Sequence, residues 1–264
     1  MTTKTNYNTT RVKNDLVENG FALIPGFFND SVELKNLKQA IYNIVCFKAE
    51  QNNLRIPENT QTDINKTVLK LGKLDDNIIA CLNDVINALA ESFALLNAPA
   101  LHEFMKKIFN DESAIVLANN HRIRIQVPGR DEISNLPWHQ DAHYNKLYIK
   151  DNCYVCWFSI SDVPSELNVV FKKGSHVIGE VERVEHFRPN GGLTWTVENK
   201  YVQDERFEKF STDTKAGDLA LIDMNVIHRS GYNISGDHVK FSGQVRYHNG
   251  SAGDFMGGAM GKYN

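Results

Sequence analysis

The pattern of hydrophobic positions changes near residue 113 and divides the chain into two regions. Before this point, apolar residues recur every three or four positions over 34–45 and over 78–93, which predicts amphipathic helices. Pro99 favours the start of a third helix, which we expect to end near Phe109. Stripes of this kind usually pack into a hydrophobic core, so we assign these helices no chemistry.

The region after residue 113 has the composition and spacing of short β-strands. Its segments are rich in β-branched and aromatic residues, and Gly, Pro, Asn or Asp turns separate them. The segments are AIVLA, HRIRIQV, CYVCWFSI, NVVFK, DLALID and HVKFSGQVRYH. Helices followed by strands favour a β-sandwich or barrel with helices packed outside it.

We expect one folded domain, because neither an internal repeat nor a linker divides the chain. It spans residues 16–249, with a helical flank over about 30–110 and a β core over about 113–249. A polar tail over 1–15 and a glycine-rich tail over 250–264 are expected on either side of this domain.

Composition and charge exclude several classes of function. Among 264 residues, 29 Lys and Arg stand against 32 Asp and Glu, and the formal charge of −3 gives no electrostatic reason to bind nucleic acid or an anionic membrane. No apolar run reaches the roughly 18 residues of a membrane helix, and the polar N-terminal stretch lacks the apolar core of a signal peptide. Four scattered cysteines predict no disulfide framework. We therefore expect a cytoplasmic protein whose main partner is neither nucleic acid nor a membrane.

Three polar residues in the strand region form a candidate metal site. In PWHQDAHY, His139 and Asp141 are two positions apart, so an extended backbone directs both side chains to one face. His228 follows the apolar strand DLALID far downstream. Two imidazoles and one carboxylate are the ligand set of non-haem Fe(II) oxygenases, in which further positions stay open for a co-substrate and O₂.

Several segments, in the same order along the chain, resemble the phytanoyl-CoA dioxygenase-like (PhyH) family of Fe(II)/2-oxoglutarate-dependent oxygenases. They are ENGFALIPGFF, PWHQDAHY, GSH at 174–176 and AGDLALIDMNVIHRSGYN. The resemblance implies a mainly β fold, a double-stranded β-helix (jelly-roll, cupin-like) core with N-terminal α-helices, which agrees with the pattern described above. It also implies that His139, Asp141 and His228 bind Fe(II) and form the catalytic centre.

The same resemblance implies a site for the co-substrate 2-oxoglutarate. Family members commonly carry Arg-x-Ser on the strand beyond the distal histidine, and Lys240 and Ser242 occupy that place here. Lysine neutralises the distal carboxylate of 2-oxoglutarate as a point charge but cannot form the two-pronged contact of arginine. Arg246 lies on the same strand face and is the alternative, either as the anchor or as a substrate contact. We also place Gln126 among the co-substrate residues.

Two arginines and three ring-bearing residues are candidate substrate contacts. Arg122 and Arg124 alternate on one strand, and buried guanidinium groups need an anionic partner. Either this face is exposed to solvent, or it forms a local basic pocket that would suit an anionic substrate. His143, Tyr144 and Trp157 lie near the metal ligands in sequence, although rings on strands usually belong to the core.

The resemblance implies an Fe(II)- and 2-oxoglutarate-dependent dioxygenase that uses O₂ to hydroxylate an unactivated C–H bond of a small metabolite, with release of succinate and CO₂. Asp141 favours hydroxylation, or a desaturation or ring-forming variant, over halogenation, because halogenating relatives carry a small residue there. The alternatives are a non-catalytic barrel that binds a metal or ligand, and a metal-dependent isomerase or hydrolase. Cys153 and Cys156 form a CxxC pair, but on a strand these positions face opposite sides, so we expect neither zinc nor a redox dithiol.

Overall fold

Helices occupy the N-terminal part of the chain, as the hydrophobic periodicity predicts. The computed structural model describes residues 7–128, 135–144, 153–189, 191–232, 236 and 238–251. The predicted glycine-rich tail lies outside these residues except for its first two positions. The helices are α1 (Thr9–Asn19), α2 (Val32–Gln51), α3 (Gln61–Leu74), α4 (Asp76–Ala88), α5 (Ala90–Leu96), α6 (Pro99–Phe109) and the short α7 (Asn199–Val202).

The prediction of a loose polar tail over 1–15 is wrong from Thr9 onward, because α1 begins there. The Asn8 side chain caps this helix by accepting a hydrogen bond from the backbone N–H of Arg11 at 3.1 Å. Val12 and Leu16, one helical turn apart, are its buried residues. One cap and one buried pair therefore hold a helix whose other positions are mostly polar.

Antiparallel strands form the rest of the fold. A five-stranded sheet has the order β1-β8-β3-β10-β2, a three-stranded sheet has the order β7-β4-β9, and β5 pairs with β6. The strands are β1 (Phe21–Ile24), β2 (Val116–Gln126), β3 (Cys153–Ser159), β4 (Val170–Lys172), β5 (Arg183–Phe187), β6 (Leu193–Val197), β7 (Lys209–Ser211), β8 (Leu219–Asp223), β9 (His228–Arg229) and β10 (Lys240–Asn249). Antiparallel sheets with flanking helices confirm the predicted double-stranded β-helix class.

The two faces of the five-stranded sheet have different surroundings. One face packs against the helices, where the thiol of Cys156 in β3 lies 3.7 Å from the sulfur of Met105 in α6. Gly243 in the middle of β10 permits this packing, since a Cβ there would lie 2.2 Å from the ring of Phe158. The opposite face lines a cavity, and alternate residues of β10 point into it: Lys240, Ser242 and Gln244.

A β-bulge interrupts the pairing of β2 with β10. Val245 of β10 lies opposite two residues of β2, Asn120 and His121, and Asn120 has a left-handed φ of 52°. The sequence predicts two strands here, whereas the structure joins them into β2 with the bulge at the predicted break. Bulges of this kind redirect side chains, and this one lies next to the residue pair 246 and 119.

Among the described residues, no single helix is both long and apolar enough to cross a membrane. The bent pair Asp76–Ala88 and Ala90–Phe109 meets that test of length and composition only when the two segments are taken together.

Candidate active site

Backbone hydrogen bonds bring the two candidate histidine ligands together. The N–H of His139 donates to the carbonyl of His228 at 2.9 Å, and the N–H of His228 donates to the carbonyl of His139 at 3.0 Å. Asp141 then begins a short 3-10 turn that ends at Tyr144. The HxD segment is therefore fixed to β9 by main-chain contacts, which do not depend on a metal.

The three side chains converge in one buried place. Their ligand atoms all lie within 4.8 Å of one another, and His139, Asp141 and His228 are all buried. His228 Nε2 lies 3.3 Å from Asp141 Oδ2. His139 Nε2 is buried and has no hydrogen-bond partner among the described residues. A buried ligand atom without a partner, next to a second imidazole and a carboxylate, fits a metal ion in this position.

The other ring nitrogen of each histidine is held by the backbone. His139 Nδ1 lies 2.7 Å from the carbonyl oxygen of Pro137, and His228 Nδ1 lies 3.0 Å from that of Val226. Because carbonyls only accept, both Nδ1 atoms carry a proton, so Nε2 is the ring nitrogen that each histidine offers to a metal. This is the tautomer that a metal requires.

The charges of the site also suit a cation. Burial and, next, the neighbouring His228 lower the pKa of His139 to about 3, so this imidazole is neutral near pH 7. Burial alone would raise the pKa of Asp141, but the Arg246 guanidinium and the two histidines hold it well below its usual range. The ligand set therefore includes one carboxylate at Asp141 and one neutral nitrogen donor at His139.

Arg246 contacts a metal ligand directly. Its Nη2 donates to Asp141 Oδ1, and both side chains are buried. The amide of Asn120 at the bulge is best oriented with its oxygen toward the same guanidinium. The sequence proposed Arg246 as a 2-oxoglutarate anchor or a substrate contact, and the structure adds this partner on the metal segment.

The other predicted co-substrate residues share the cavity with the metal ligands. Lys240, Ser242 and Gln126 are all buried and line it. The Lys240 ammonium donates to the carbonyl of Leu167 and lies 5.6 Å from the centre of the Trp157 ring. Gln126 Nε2 donates to the carbonyl of Gly231 at 3.0 Å.

The predicted substrate residues have different surroundings. Arg124 and Trp157 line the cavity, whereas Arg122, two positions earlier in β2, is exposed. The Tyr144 hydroxyl contacts Thr194 Oγ1 at 2.6 Å, which ties the metal segment to β6. His143 Nε2 donates to the carbonyl of Val181 at 2.9 Å, and its ring is not among the residues that line the cavity.

One further arginine of the site, Arg229, is not among the residues that the sequence singles out. Arg229 lines the cavity and lies over the rings of Trp138 and Tyr232, at 5.2 and 4.4 Å from their centres. Its position directly after His228 was a signal that sequence reasoning could have used. Arg188 lies in the turn between β5 and β6, and its backbone N–H donates to Gly192 at 2.9 Å.

The two cysteines of the CxxC pair face opposite sides of β3, as predicted. Cys153 Sγ lies 2.5 Å from His248 Nδ1, and Cys156 packs against α6. Burial raises the pKa of both thiols, so neither is a thiolate near pH 7.

Solved structures of similar fold include the carbocyclase SnoK from nogalamycin biosynthesis, at 16% identity and a TM-score of 0.59, covering 92% of this chain and 85% of that chain. The epimerase SnoN, in complex with Fe3+, alpha ketoglutarate and nogalamycin RO, is 14% identical with a TM-score of 0.57, over 91% and 83% of the two chains. EvdO2 from Micromonospora carbonacea var. aurantiaca, complexed with 2-oxoglutarate, is 14% identical with a TM-score of 0.55. The match covers 92% of this chain and 91% of that chain.

No curated protein matches the chain in sequence. The family model for phytanoyl-CoA dioxygenase (PhyH) matches residues 16–240, a range that contains the HxD segment, the distal histidine and the first residue of β10. With this match and a buried His-Asp-His set in the expected barrel, the chain belongs to the phytanoyl-CoA dioxygenase (PhyH) family of non-haem iron and 2-oxoglutarate-dependent oxygenases.

Proposed function

We propose that this enzyme hydroxylates an unactivated C–H bond of a small metabolite, with release of succinate and CO₂. The observation that carries the proposal is the buried three-ligand set of His139, Asp141 and His228, which offers one carboxylate and two imidazoles. Three protein ligands leave three octahedral positions for a chelating co-substrate and for O₂. When bound, Fe(II) and 2-oxoglutarate supply O₂ activation coupled to oxidative decarboxylation.

The residues of the chain would supply binding, orientation and exclusion of water. His139 and His228 would hold the metal through Nε2, because their Nδ1 atoms donate to backbone carbonyls. Lys240 would pair with the distal carboxylate of 2-oxoglutarate, with Ser242 and Gln126 as polar neighbours in the same cavity. Trp157 and Val155 provide apolar wall on the adjacent strand.

Asp141 supports an oxygenating outcome over halogenation, because its carboxylate occupies the position that a halide would need. The structural relatives include an epimerase and a carbocyclase, and these proteins share the fold with this chain. The mass of the product therefore distinguishes hydroxylation, ring formation and epimerisation. Hydroxylation adds one oxygen atom, ring formation removes two hydrogen atoms, and epimerisation leaves the mass unchanged.

The test is a screen of a metabolite library for succinate release, followed by mass spectrometry of the products. We expect succinate to form only when Fe(II), 2-oxoglutarate and O₂ are all present, and the product to gain one oxygen atom. His139→Ala, Asp141→Ala and His228→Ala should each lose coupled turnover and iron affinity while remaining folded. Full activity in any of them would remove that residue from the ligand set, and a product without added oxygen would contradict hydroxylation.

A further inference from the structure

Arg124 is the arginine of β2 whose side chain enters the cavity. It lines the cavity together with the three metal ligands, and its Nε donates to Gln244 Oε1 at 3.3 Å. Among the residues that the structure describes, its Nη atoms have no hydrogen-bond partner, and no carboxylate lies within ion-pair distance of them. An amide oxygen does not balance the charge of a guanidinium. Arg124 therefore offers both a positive charge and free donors to an anion that enters the cavity.

The hydrogen bond to Gln244 shows in which direction this side chain leans. Arg124 lies opposite Ser242 in the β2–β10 register. Gln244 is the next residue of β10 that faces the cavity, about 6–7 Å farther along the strand, and Lys240 lies as far away in the opposite direction. The guanidinium therefore leans away from Lys240, the residue proposed for the distal carboxylate, and toward the end of β10 that contacts the metal segment.

The charges around Arg124 point to the same end of the cavity. Burial and, next, the positive charge of Arg122 lower the pKa of Arg124 to about 10, while Asp141 opposes this shift. The guanidinium therefore stays protonated near pH 7 and lies within electrostatic range of a metal ligand. Asp141 already pairs with Arg246, so it does not neutralise a second cation. A carboxylate that binds at the metal would supply the counter-charge that Arg124 needs.

We propose that Arg124 binds 2-oxoglutarate at its metal-binding end, through the carboxylate next to the keto group. This inference rests on the proposed function and assigns it a further co-substrate residue. A 2-oxo acid that chelates a metal uses its keto oxygen and one oxygen of this carboxylate. The other carboxylate oxygen keeps part of the negative charge and needs a donor, for which a guanidinium is suited. Lys240 and Arg124 then hold opposite ends of one molecule.

The test titrates two 2-oxo acids into Fe(II)-loaded protein under anaerobic conditions. 2-Oxoglutarate has both carboxylates, whereas 2-oxopentanoate keeps the metal-binding end and has a methyl group in place of the distal carboxylate. The visible absorption of the Fe(II) chelate reports binding. We expect Arg124→Gln to raise the dissociation constants of both acids by the same factor, about tenfold or more, which corresponds to about 1.4 kcal/mol. Lys240→Ala should weaken the binding of 2-oxoglutarate alone.

Control variants separate a direct contact from a loss of charge or of the metal site. Arg124→Lys keeps the charge with fewer donors and should lose less affinity than Arg124→Gln. Arg206→Gln removes one positive charge from an exposed pair with Asp204 and should leave both dissociation constants unchanged. Titration with Co(II) in the absence of a 2-oxo acid should show that Arg124→Gln retains its metal affinity. Loss of that affinity would mean that Arg124 supports the metal site itself, and it would overturn the proposal.

Two patterns of affinity contradict the assignment. If Arg124→Gln weakens 2-oxoglutarate but not 2-oxopentanoate, Arg124 serves the distal carboxylate instead. If it weakens neither acid, Arg124 does not touch the co-substrate. Should 2-oxopentanoate bind too weakly to measure, the double variant of Arg124→Gln and Lys240→Ala decides with 2-oxoglutarate alone. The two factors should multiply, because the residues hold separate groups, and a double variant no weaker than Lys240→Ala would contradict the assignment.

The proposed function and this inference fail in different ways. If the wild-type protein binds neither 2-oxo acid, the proposed oxygenase function fails, and the role of Arg124 fails with it. If the wild-type protein binds 2-oxoglutarate and Arg124→Gln binds it equally well, the oxygenase function stands and only the role of Arg124 is excluded.

Discussion

Arg246 donates a hydrogen bond to Asp141 Oδ1, while Asp141 Oδ2 lies 3.3 Å from His228 Nε2. One carboxylate oxygen is thus held by a buried cation, and the other faces the histidines. This division orients the carboxylate so that a metal meets one oxygen. Arg246 therefore acts on the metal site through its ligand, whatever it also does for the co-substrate.

Replacing Arg246 should weaken both the fold and the metal site. In metal-free protein, Arg246→Met leaves Asp141 buried without its cation, and such a change costs about 3–5 kcal/mol of unfolding free energy. Urea denaturation measures this loss, and titration with Co(II) in the absence of 2-oxoglutarate measures metal affinity. Arg246→Lys keeps the charge and should lose less in both. Unchanged stability and metal affinity in Arg246→Met would show that the pair does not orient Asp141.

Lys240→Ala should raise the dissociation constant of 2-oxoglutarate by about 30-fold or more. The reason is that a bound carboxylate loses its cation, which costs about 2–5 kcal/mol. Anaerobic titration of Fe(II)-loaded protein measures this constant, and Lys240→Arg should be tolerated if the pocket has room. Loss of 2-oxoglutarate affinity in Arg246→Ala but not in Lys240→Ala would exchange the roles of the two residues.

The metal-free protein should lose stability as the pH falls below about 6.5, the ordinary pKa of histidine. The folded-state pKa of His139 is about 3, so between these values the unfolded chain binds the extra proton and protonation favours unfolding. For this group, the unfolding free energy should change by at most about 1.4 kcal/mol per pH unit. Urea denaturation with chelator between pH 7 and 5 measures it. His139→Asn should reduce the slope, and His186→Asn, at an exposed position, should not.

The serine variants of the two cysteines should differ in protein stability but not in metal content. Cys156→Ser places a hydroxyl among apolar neighbours, beside Met105, and should cost about 1–3 kcal/mol of unfolding free energy. Cys153→Ser keeps a partner in His248 and should cost less. Thermal unfolding and iron analysis check both. Loss of iron in either variant would give the CxxC pair a role that its geometry does not support.

The order of elements and the HxD pair could be predicted because they depend on local patterns. Helical and strand periodicities are properties of neighbouring residues, and the spacing of His139 and Asp141 predicts that their side chains meet. The extended backbone assumed for that prediction is wrong at Asp141, which begins a 3-10 turn. His228 is a candidate from its place after the strand DLALID, and the family resemblance is what selects it, since nothing local distinguishes it from a core histidine. The structure adds the two backbone hydrogen bonds that place it beside His139.

The contacts of the arginines could not be predicted because they depend on strand register. Arg246 and Asp141 are 105 positions apart in sequence. The bulge at Asn120 shifts the register of β2 against β10 next to Arg246, and no composition rule locates that shift.

The reciprocal main-chain bridge between His139 and His228 has a consequence for metal selection. Because the backbone fixes the two imidazoles, the chelating geometry exists before any ion arrives. Such a rigid nitrogen and oxygen donor set follows the Irving–Williams series, in which Zn(II) and Cu(II) bind more tightly than Fe(II). The metal found in purified protein will therefore reflect which ions were available during expression. Zinc-loaded protein would be well folded and redox-inert. Assays should therefore begin from protein whose metal has been removed with a chelator and replaced with ferrous iron.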